Sequence, residues 1–396
     1  MSQTFRLTLA QLNPTVGAIE ANIALALEAW GQGRAAGAQM VALTEMFVTG
    51  YQTQDLILKP AFAAHAERAV ADLARQIVDG PALGIGGPLT RDGQLYNAYY
   101  ILEGGKIAAT VLKHELPNDG VFDEKRLFAS APLQGPYRVG PLRIGSPICE
   151  DAWHADVAET LAESGAEILL VPNGSPYHRG KPSVRTNLMV ARVIETGLPL
   201  VYLNMIGGQD DQVFDGASFV LNPGGALAVQ MPQFLPSITH VDFEETADGW
   251  RAKPGLMETL PRIVEADYHA MVMGTRDYLA KCGFKKVLLG LSGGVDSALV
   301  AAIAADVIGA DALAGVQIDV GKAQGQPREC RLAAALRLRA IAQFDTLGLD
   351  RQAAAVDKAA KDSDNSASRI PWFLPEIGQA LGDIRRGNLI GLMSDS

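Results

Sequence analysis

Cysteine is scarce in this chain. Three residues in 396, Cys149, Cys282 and Cys330, are too few and too scattered for a disulfide framework or a CxxC metal motif, so a reducing cytoplasm is the expected location. Positive charge is also short: 34 Lys and Arg face 44 Asp and Glu, a formal charge of −10. With an isoelectric point near 5.2, the basic face that nucleic-acid binding needs is not expected, and small-molecule substrates fit better. Long apolar runs are missing as well. No stretch reaches the length of a membrane span, and the opening "MSQTFRLTLAQLNPTVG" holds no uncharged apolar core of signal-peptide length. A soluble protein that is not exported is the expectation.

What is present is ample core material, with 48% hydrophobic residues and a mean hydropathy of +0.10. A chain of 396 residues suggests two domains. Through the first 220 or so residues, short strand-like runs alternate with helix-like ones. "FRLTLAQL" precedes Ile19, Ile23, Leu27 and Trp30 at helical spacing, and "MVALTEM", "ALGIGGPL", "LRIGSPICED", "EILLVPN" and "LVYLNMIGG" continue the series. "NAYYILEGGKIAATVLK" reads as a hairpin turning at Glu103 to Lys106. The fold class is therefore layered α/β. Charge, Gly and Pro replace apolar runs in "HVDFEETADGWRAKPGL", which places a linker at 249–265 between domains 1–248 and 266–396.

The second domain contains "LGLSGGVDSA", between an apolar run at Val287 to Leu289 and an alanine-rich helical stretch. Gly293 and Gly294 allow close backbone approach, Ser292 and Ser297 add hydroxyls, and a helix start adds free N–H groups. Such a turn suits phosphate or pyrophosphate. It lacks the lysine of the GxxxxGK[ST] loop and instead resembles the SGGxDS loop of ATP pyrophosphatases, which adenylate a carboxylate or carbonyl group.

In the first domain three ionisable residues follow apolar runs: Glu45 in "VALTEMFVTGY", Lys113 in "ATVLKHELP" and Cys149 in "RIGSPICEDAW". Each alone reads as an ordinary strand-end residue, the charged pair exposed and the thiol buried. Glu150 and Asp151, however, are poor company for a purely structural thiol. Together the three resemble the Glu–Lys–Cys set of the carbon–nitrogen hydrolase (nitrilase) family, over residues 4–245. The chemistry agrees with the residue types: Cys149 as nucleophile, Glu45 as general base, Lys113 as oxyanion stabiliser. The resemblance implies a four-layer α-β-β-α fold and a homo-oligomer. By carry-over from members that act on glutamine, Ser175 and Lys181 in "VPNGSPYHRGKPSVR" contact the substrate, while His178 reads as an exposed loop residue. Asp119 in "LPNDG" stands where the family often has an aromatic residue that contacts glutamine, and Met205 where it has a glutamine.

A nitrilase domain followed by a pyrophosphate loop resembles the glutamine-dependent NAD+ synthetases. That resemblance implies a partial parallel-sheet α/β ATP pyrophosphatase domain, with ATP held by Gly290, Leu291, Ser292, Gly293, Gly294, Val295, Asp296 and Ser297. It implies Mg2+ at Asp296, deamido-NAD as co-substrate with Arg386 as a contact, and ammonia from glutamine displacing AMP. Past "ALAGVQI" the family's Pro-Ser and Tyr-Thr-Ser pattern gives way to "DVGKAQGQPREC", and only "RGN" and "LMS" fragments of the later motif remain. The second domain is thus expected to be incomplete, and a protein ending at Ser396 to hydrolyse glutamine while making little NAD+. The competing expectations are a stand-alone amidase with a synthetase remnant, and an assembly module with an idle site.

Overall fold

A computed structural model of the chain describes residues 3–291, 295–309 and 313–317. The chain divides into two compact units, Met1–Ala270 and Met271–Ser396. In chain order the strands of the first unit are β1 (Thr4–Gln11), β2 (Met40–Ala42), β3 (Ala82–Arg91), β4 (Gln94–Glu103), β5 (Lys106–Leu112), β6 (Tyr137–Val139), β7 (Leu142–Gly145), β8 (Ile168–Asn173), β9 (Leu200–Asn204), β10 (Ile206–Gln209), β11 (Gln212–Asp215), β12 (Phe219–Asn222), β13 (Ala226–Gln230), β14 (Ser237–Thr246) and β15 (Gly249–Ala252). Its helices are α1 (Ile19–Ala35), α2 (Pro60–Ala74), the single turn α3 (Glu124–Leu127), α4 (Ala155–Glu163) and α5 (Lys181–Thr196).

Seven strands form one sheet, in the order β15-β14-β1-β2-β3-β4-β5, and six form another, in the order β13-β12-β9-β8-β7-β6. Each has a parallel centre, β1 to β3 in one and β7 to β9 in the other, flanked by antiparallel pairs. Alternation along the strands sorts the side chains into layers. Leu7, Leu9, Met40, Ile144, Ile168, Leu170, Val201 and Leu203 meet between the two sheets. On the other face of the first sheet, Val41, Leu83, Ile85 and Tyr100 pack with Ile19, Ala26 and Ala29 of α1 and Ala66, Val70 and Leu73 of α2. On the far face of the second, Leu169, Val171, Leu200 and Tyr202 pack with Val157 and Leu161 of α4 and Met189 and Val193 of α5. The order is α-β-β-α, the nitrilase-like fold.

Residues 249–265, read from the sequence as a linker, begin as an edge strand. β15 pairs with β14, Phe243 opposite Ala252 and Glu245 opposite Trp250, and Trp250 and Ala252 are buried. The chain then stays on the sheet: Gln230 N donates to Leu256 O at 2.8 Å and Glu258 N to Gln230 O at 3.0 Å. The apolar signal of Trp250 and Ala252 is two residues deep in a charged stretch, too short to stand out by alternation.

The division between the units falls inside α6 (Ile263–Lys281). The second unit continues with β16 (Val287–Leu291), α7 (Val295–Ile308) and β17 (Leu313–Gln317). β16 and β17 are parallel neighbours, Val287 opposite Leu313, so α7 is the crossover of a βαβ unit. Leu279, Val287, Leu289, Val300, Ala301, Ala304 and Leu313 form its core.

Candidate active site

The three ionisable residues singled out in the first domain come together past the ends of strands. Glu45 follows β2 on a segment laid along β3, where Gly86 N donates to Thr44 O at 3.2 Å and Val48 N to Gly86 O at 3.0 Å. The approach is so close that a Cβ on Gly86 would stand 2.2 Å from Met46 N and 2.7 Å from the Glu45 carbonyl carbon. Lys113 directly follows β5, its N–H bonded to Asn97 O at 2.9 Å. Cys149 lies past the end of β7, opening a 3-10 turn over Cys149–Trp153 with φ of +49°. A non-glycine residue in that region carries strain of order 1–3 kcal/mol, held here by the turn around it.

Lys113 Nζ stands 2.7 Å from Glu45 Oε1 and 2.8 Å from Glu124 Oε2, with all three side chains buried. Asn97 Nδ2 donates to Glu45 Oε1 at 2.8 Å, Gly174 N donates to Glu45 Oε2 at 2.8 Å, and Tyr51 OH donates to Glu124 Oε1 at 2.8 Å. Both carboxylates are thus fixed in orientation. Burial pushes the Lys113 ammonium down, but the adjacent Glu124 and Glu45 charges outweigh it, and the group stays protonated. Burial, with the Glu45 charge beside it, pushes the Cys149 thiol well above its usual range against the pull of Lys113. The resting nucleophile is a neutral thiol. Burial also raises Glu124, and Lys113 opposes this.

Glu124 belongs to this constellation, yet no role was read for it in the sequence. It sits in "FDEKRLF", where a charged run reads as a solvated face; its signal is the Phe and Leu residues that bury α3. Asp151, 2% exposed, was noticed only as charge near the thiol. Its carboxylate accepts from the backbone N–H groups of His114 at 3.0 Å, Glu115 at 2.6 Å and Ile148 at 2.9 Å.

Ser175 is buried, bonded from Arg185 Nε to its Oγ at 3.1 Å, and its N–H reaches Asn204 Oδ1 at 2.9 Å. Lys181 opens α5, its Nζ 4.4 Å from the centre of the Trp153 ring. Burial and the Arg185 charge lower its pKa, while Cys149, Glu150 and Asp119 act in the opposite sense. Asp119 is exposed, and Glu150, raised by burial, feels Lys113, Asp119 and Lys181. One mouth therefore presents an ammonium and two carboxylates. His178 is exposed, and Met205 is buried among Met46, Tyr51 and Phe214.

In the second unit Gly290 and Leu291 end β16, and Val295, Asp296 and Ser297 begin α7. Asp296 is exposed and Ser297 buried. The described backbone thus ends a strand at Leu291 and begins a helix at Val295, the two elements that flank the pyrophosphate-loop sequence. Ser292, Gly293, Gly294 and Arg386 lie outside the described residues.

The fold and this site define a carbon–nitrogen hydrolase. The profile of that family, "Carbon-nitrogen hydrolase", matches residues 6–252, and the profile "NAD synthase" matches residues 267–370. The chain belongs to the carbon–nitrogen hydrolase family, in the group that carries an NAD synthase region behind the hydrolase domain. It is similar to the glutamine-dependent NAD(+) synthetase of Rhodobacter capsulatus, 57% identical over 360 residues, which cover 91% of this chain and 65% of that protein. The protein of the same description in Acinetobacter baylyi is 35% identical over 316 residues, covering 80% of this chain and 58% of its own length. The chain thus spans less than two thirds of these curated relatives. Among solved structures, the glutamine-dependent NAD+ synthetase from Acinetobacter baumannii in complex with ADP matches with a TM-score of 0.79 at 30% identity, over 90% of this chain and 71% of that one. An amidase from Nesterenkonia sp. matches with a TM-score of 0.54 at 25% identity, over 60% of this chain and 89% of that one.

Proposed function

We propose that the chain releases ammonia from glutamine at Cys149 and uses it to amidate deamido-NAD activated by ATP, giving NAD+, AMP and pyrophosphate. The observation that carries this reading is the buried Glu45–Lys113–Cys149 constellation in a chain whose second unit carries the pyrophosphate-loop sequence between a strand, β16, and a helix, α7. The descriptions of its relatives as glutamine-dependent NAD(+) synthetases point the same way, and so does the ADP complex of the Acinetobacter baumannii enzyme.

Because the thiol rests protonated, attack needs a base at hand. Glu45 takes the Cys149 proton as sulfur adds to the amide carbon, and Lys113 stabilises the oxyanion that forms. Collapse breaks the C–N bond. The nitrogen takes that proton from Glu45 and leaves as ammonia, and a thioester remains on Cys149. Water, deprotonated by Glu45, then adds to the thioester and releases glutamate with the thiol restored. Glu124 holds the Lys113 ammonium in place between steps. Ser175, Lys181 and Asp119 receive the amino-acid head group, with the Lys181 ammonium suited to the α-carboxylate.

In the second domain, taken to open at α6, the segment from Gly290 to Ser297 receives the pyrophosphate of ATP. Mg2+ arriving with ATP is suited to an exposed carboxylate oxygen at a helix start, which Asp296 offers. Arg386 is assigned to deamido-NAD. The chain is placed in the cytoplasm as a homo-oligomer; among the described residues no helix is long and apolar enough to cross a membrane.

The test is Cys149→Ala. Glutamate release from glutamine is expected to stop, while any NAD+ formation fed with ammonium salts continues at the parental rate. Loss of both activities in parallel overturns the assignment.

A further inference from the structure

Lys113 and Cys149 stand on separate chain segments, one past β5 in the first sheet and one past β7 in the second. Their separation must be fixed for an ammonium and a thiol to act on one carbonyl group. We propose that Asp151 is the positioning residue that sets it: a single buried carboxylate ties the segment after Lys113 to the residue before Cys149. The inference deepens the hydrolase reading above and rests on it.

The bonding is divided by oxygen. Asp151 Oδ1 accepts from His114 N at 3.0 Å and Glu115 N at 2.6 Å, the two peptide groups that follow Lys113. Oδ2 accepts from Ile148 N at 2.9 Å, the peptide group that precedes Cys149. Asp151 N also donates to Ile148 O at 3.1 Å, so the turn that lifts Cys149 into its positive-φ conformation is closed from both sides of the same residue. The side chain is sealed from water, and hydrogen bonds to a charged acceptor are the stronger kind. Lys113 adds a favourable charge to the same carboxylate. No hydrogen bond of Asp151 is spent on the catalytic side chains themselves. Its effect on them passes through backbone, which is what a positioning residue does.

This division makes Asp151→Asn a one-sided cut. The retained oxygen of Asn can still accept from His114 and Glu115, because those two bonds share one atom. The new NH2 group must then face the Ile148 N–H, donor against donor, so the Cys149 side of the tie is lost while shape and volume are kept. Asp151→Ala removes both sides and leaves three backbone donors without an acceptor, and that loss alone is expected to cost folded protein.

The experiment uses the full chain at pH 8 with Asp151→Asn. Three readouts are taken: kcat and KM for glutamine, the rate of Cys149 alkylation by iodoacetamide, and circular dichroism with a urea unfolding curve. The result expected is a fall in kcat of tenfold or more with KM within twofold of the parent, matched by an altered alkylation rate, in a chain that is folded at the assay temperature. An unchanged kcat overturns the proposal. So does a rise in KM in step with loss of kcat and of folded protein, which marks a merely structural role. If the parent itself releases no glutamate from glutamine, the hydrolase reading fails, and the alkylation rate still decides whether Asp151 positions the thiol.

Discussion

The Lys113 ammonium lies 2.7 Å from the Glu45 carboxylate across 68 residues of chain. Glu45 is the partner with two further fixed donors, Asn97 Nδ2 and Gly174 N, so its oxygens cannot swing away to follow the lysine. A base that is held while the nucleophile stays neutral is the arrangement expected of concerted proton transfer. Glu45→Gln keeps the shape and loses the basicity. Turnover of glutamine should fall by roughly 10²–10⁴-fold with binding retained, read from steady-state kinetics and from glutamine protection of Cys149 against alkylation. Parental turnover in this variant would remove Glu45 from the role of base.

Lys113 also neutralises two buried carboxylates at once, Glu45 and Glu124. Lys113→Met leaves both facing each other without a cation, and the loss of stability should be about 3–5 kcal/mol. Adding Glu124→Gln removes one of the two charges, so the double variant should be more stable than Lys113→Met alone. Urea unfolding of the parent, both single variants and the double variant gives the coupling. Simple additivity would mean that the carboxylates do not share the lysine.

Gly86 is required by contact rather than by backbone angle. A methyl group there meets the Met46 amide nitrogen at 2.2 Å, and backbone cannot rotate aside as a side chain can. Gly86→Ala should therefore push the Glu45 segment off β3, with a stability loss of ~1–3 kcal/mol and a larger proportional loss of glutamine turnover. By contrast, nothing lies within 4 Å of a Cβ built on Gly31 in α1, and Gly31→Ala should leave turnover unchanged. Equal behaviour of the two variants would contradict the packing argument.

The Asp151 carboxyl is pushed up to about 7 by burial, against the opposing pull of its three backbone donors and Lys113. Its ordinary value is 3.8, so the folded chain holds this proton more tightly than the unfolded chain does. The resulting stabilisation is complete below the unfolded value and is lost as pH rises through about 7. Asparagine does not titrate there. The stability gap between the parent and Asp151→Asn should narrow between pH 5 and pH 7 by ~1.4 kcal/mol per unit, measured by urea unfolding. A gap that widens instead would mean the folded carboxyl is acidic.

How much of this was legible depended on whether an apolar strand stood next to the residue. Glu45, Lys113 and Cys149 each follow one, β2, β5 and β7, and the apolar runs of β1, β3, β8 and β9 that build the layers are visible in the same way. Glu124 and Asp151 were not legible as site members because each sits on a single short helical turn within a charged stretch, too short to show a period in the sequence. β15 was taken for linker because its inward positions are only Trp250 and Ala252. Arg185, fully buried against Asp215 at 2.7 Å and bonded to the Ser175 carbonyl at 2.7 Å, shows the same limit. It lies in a polar stretch of α5 and reads as surface, although it holds the Ser175 turn in place.

The second unit makes its own prediction. Asp296 is an exposed carboxylate in the first turn of α7, a position where the helix dipole favours a negative side chain. An acidic residue beside a phosphate site is unfavourable unless a cation sits between them, which is the reason for assigning Mg2+ rather than phosphate to this side chain. Asp296→Asn keeps the shape but weakens the oxygen donor. ATP-dependent pyrophosphate release in the presence of deamido-NAD should fall about 100-fold, the equivalent of ~2.7 kcal/mol, and raising Mg2+ should recover part of it. Glutamate release measured without ATP should not follow that loss, since Glu45, Lys113 and Cys149 all belong to the first unit. Cys149→Ala is expected to show the reverse pattern when ammonium replaces glutamine. A variant of Asp296 whose pyrophosphate release is normal at limiting Mg2+ would remove this residue from the metal and leave the turn to its backbone N–H groups.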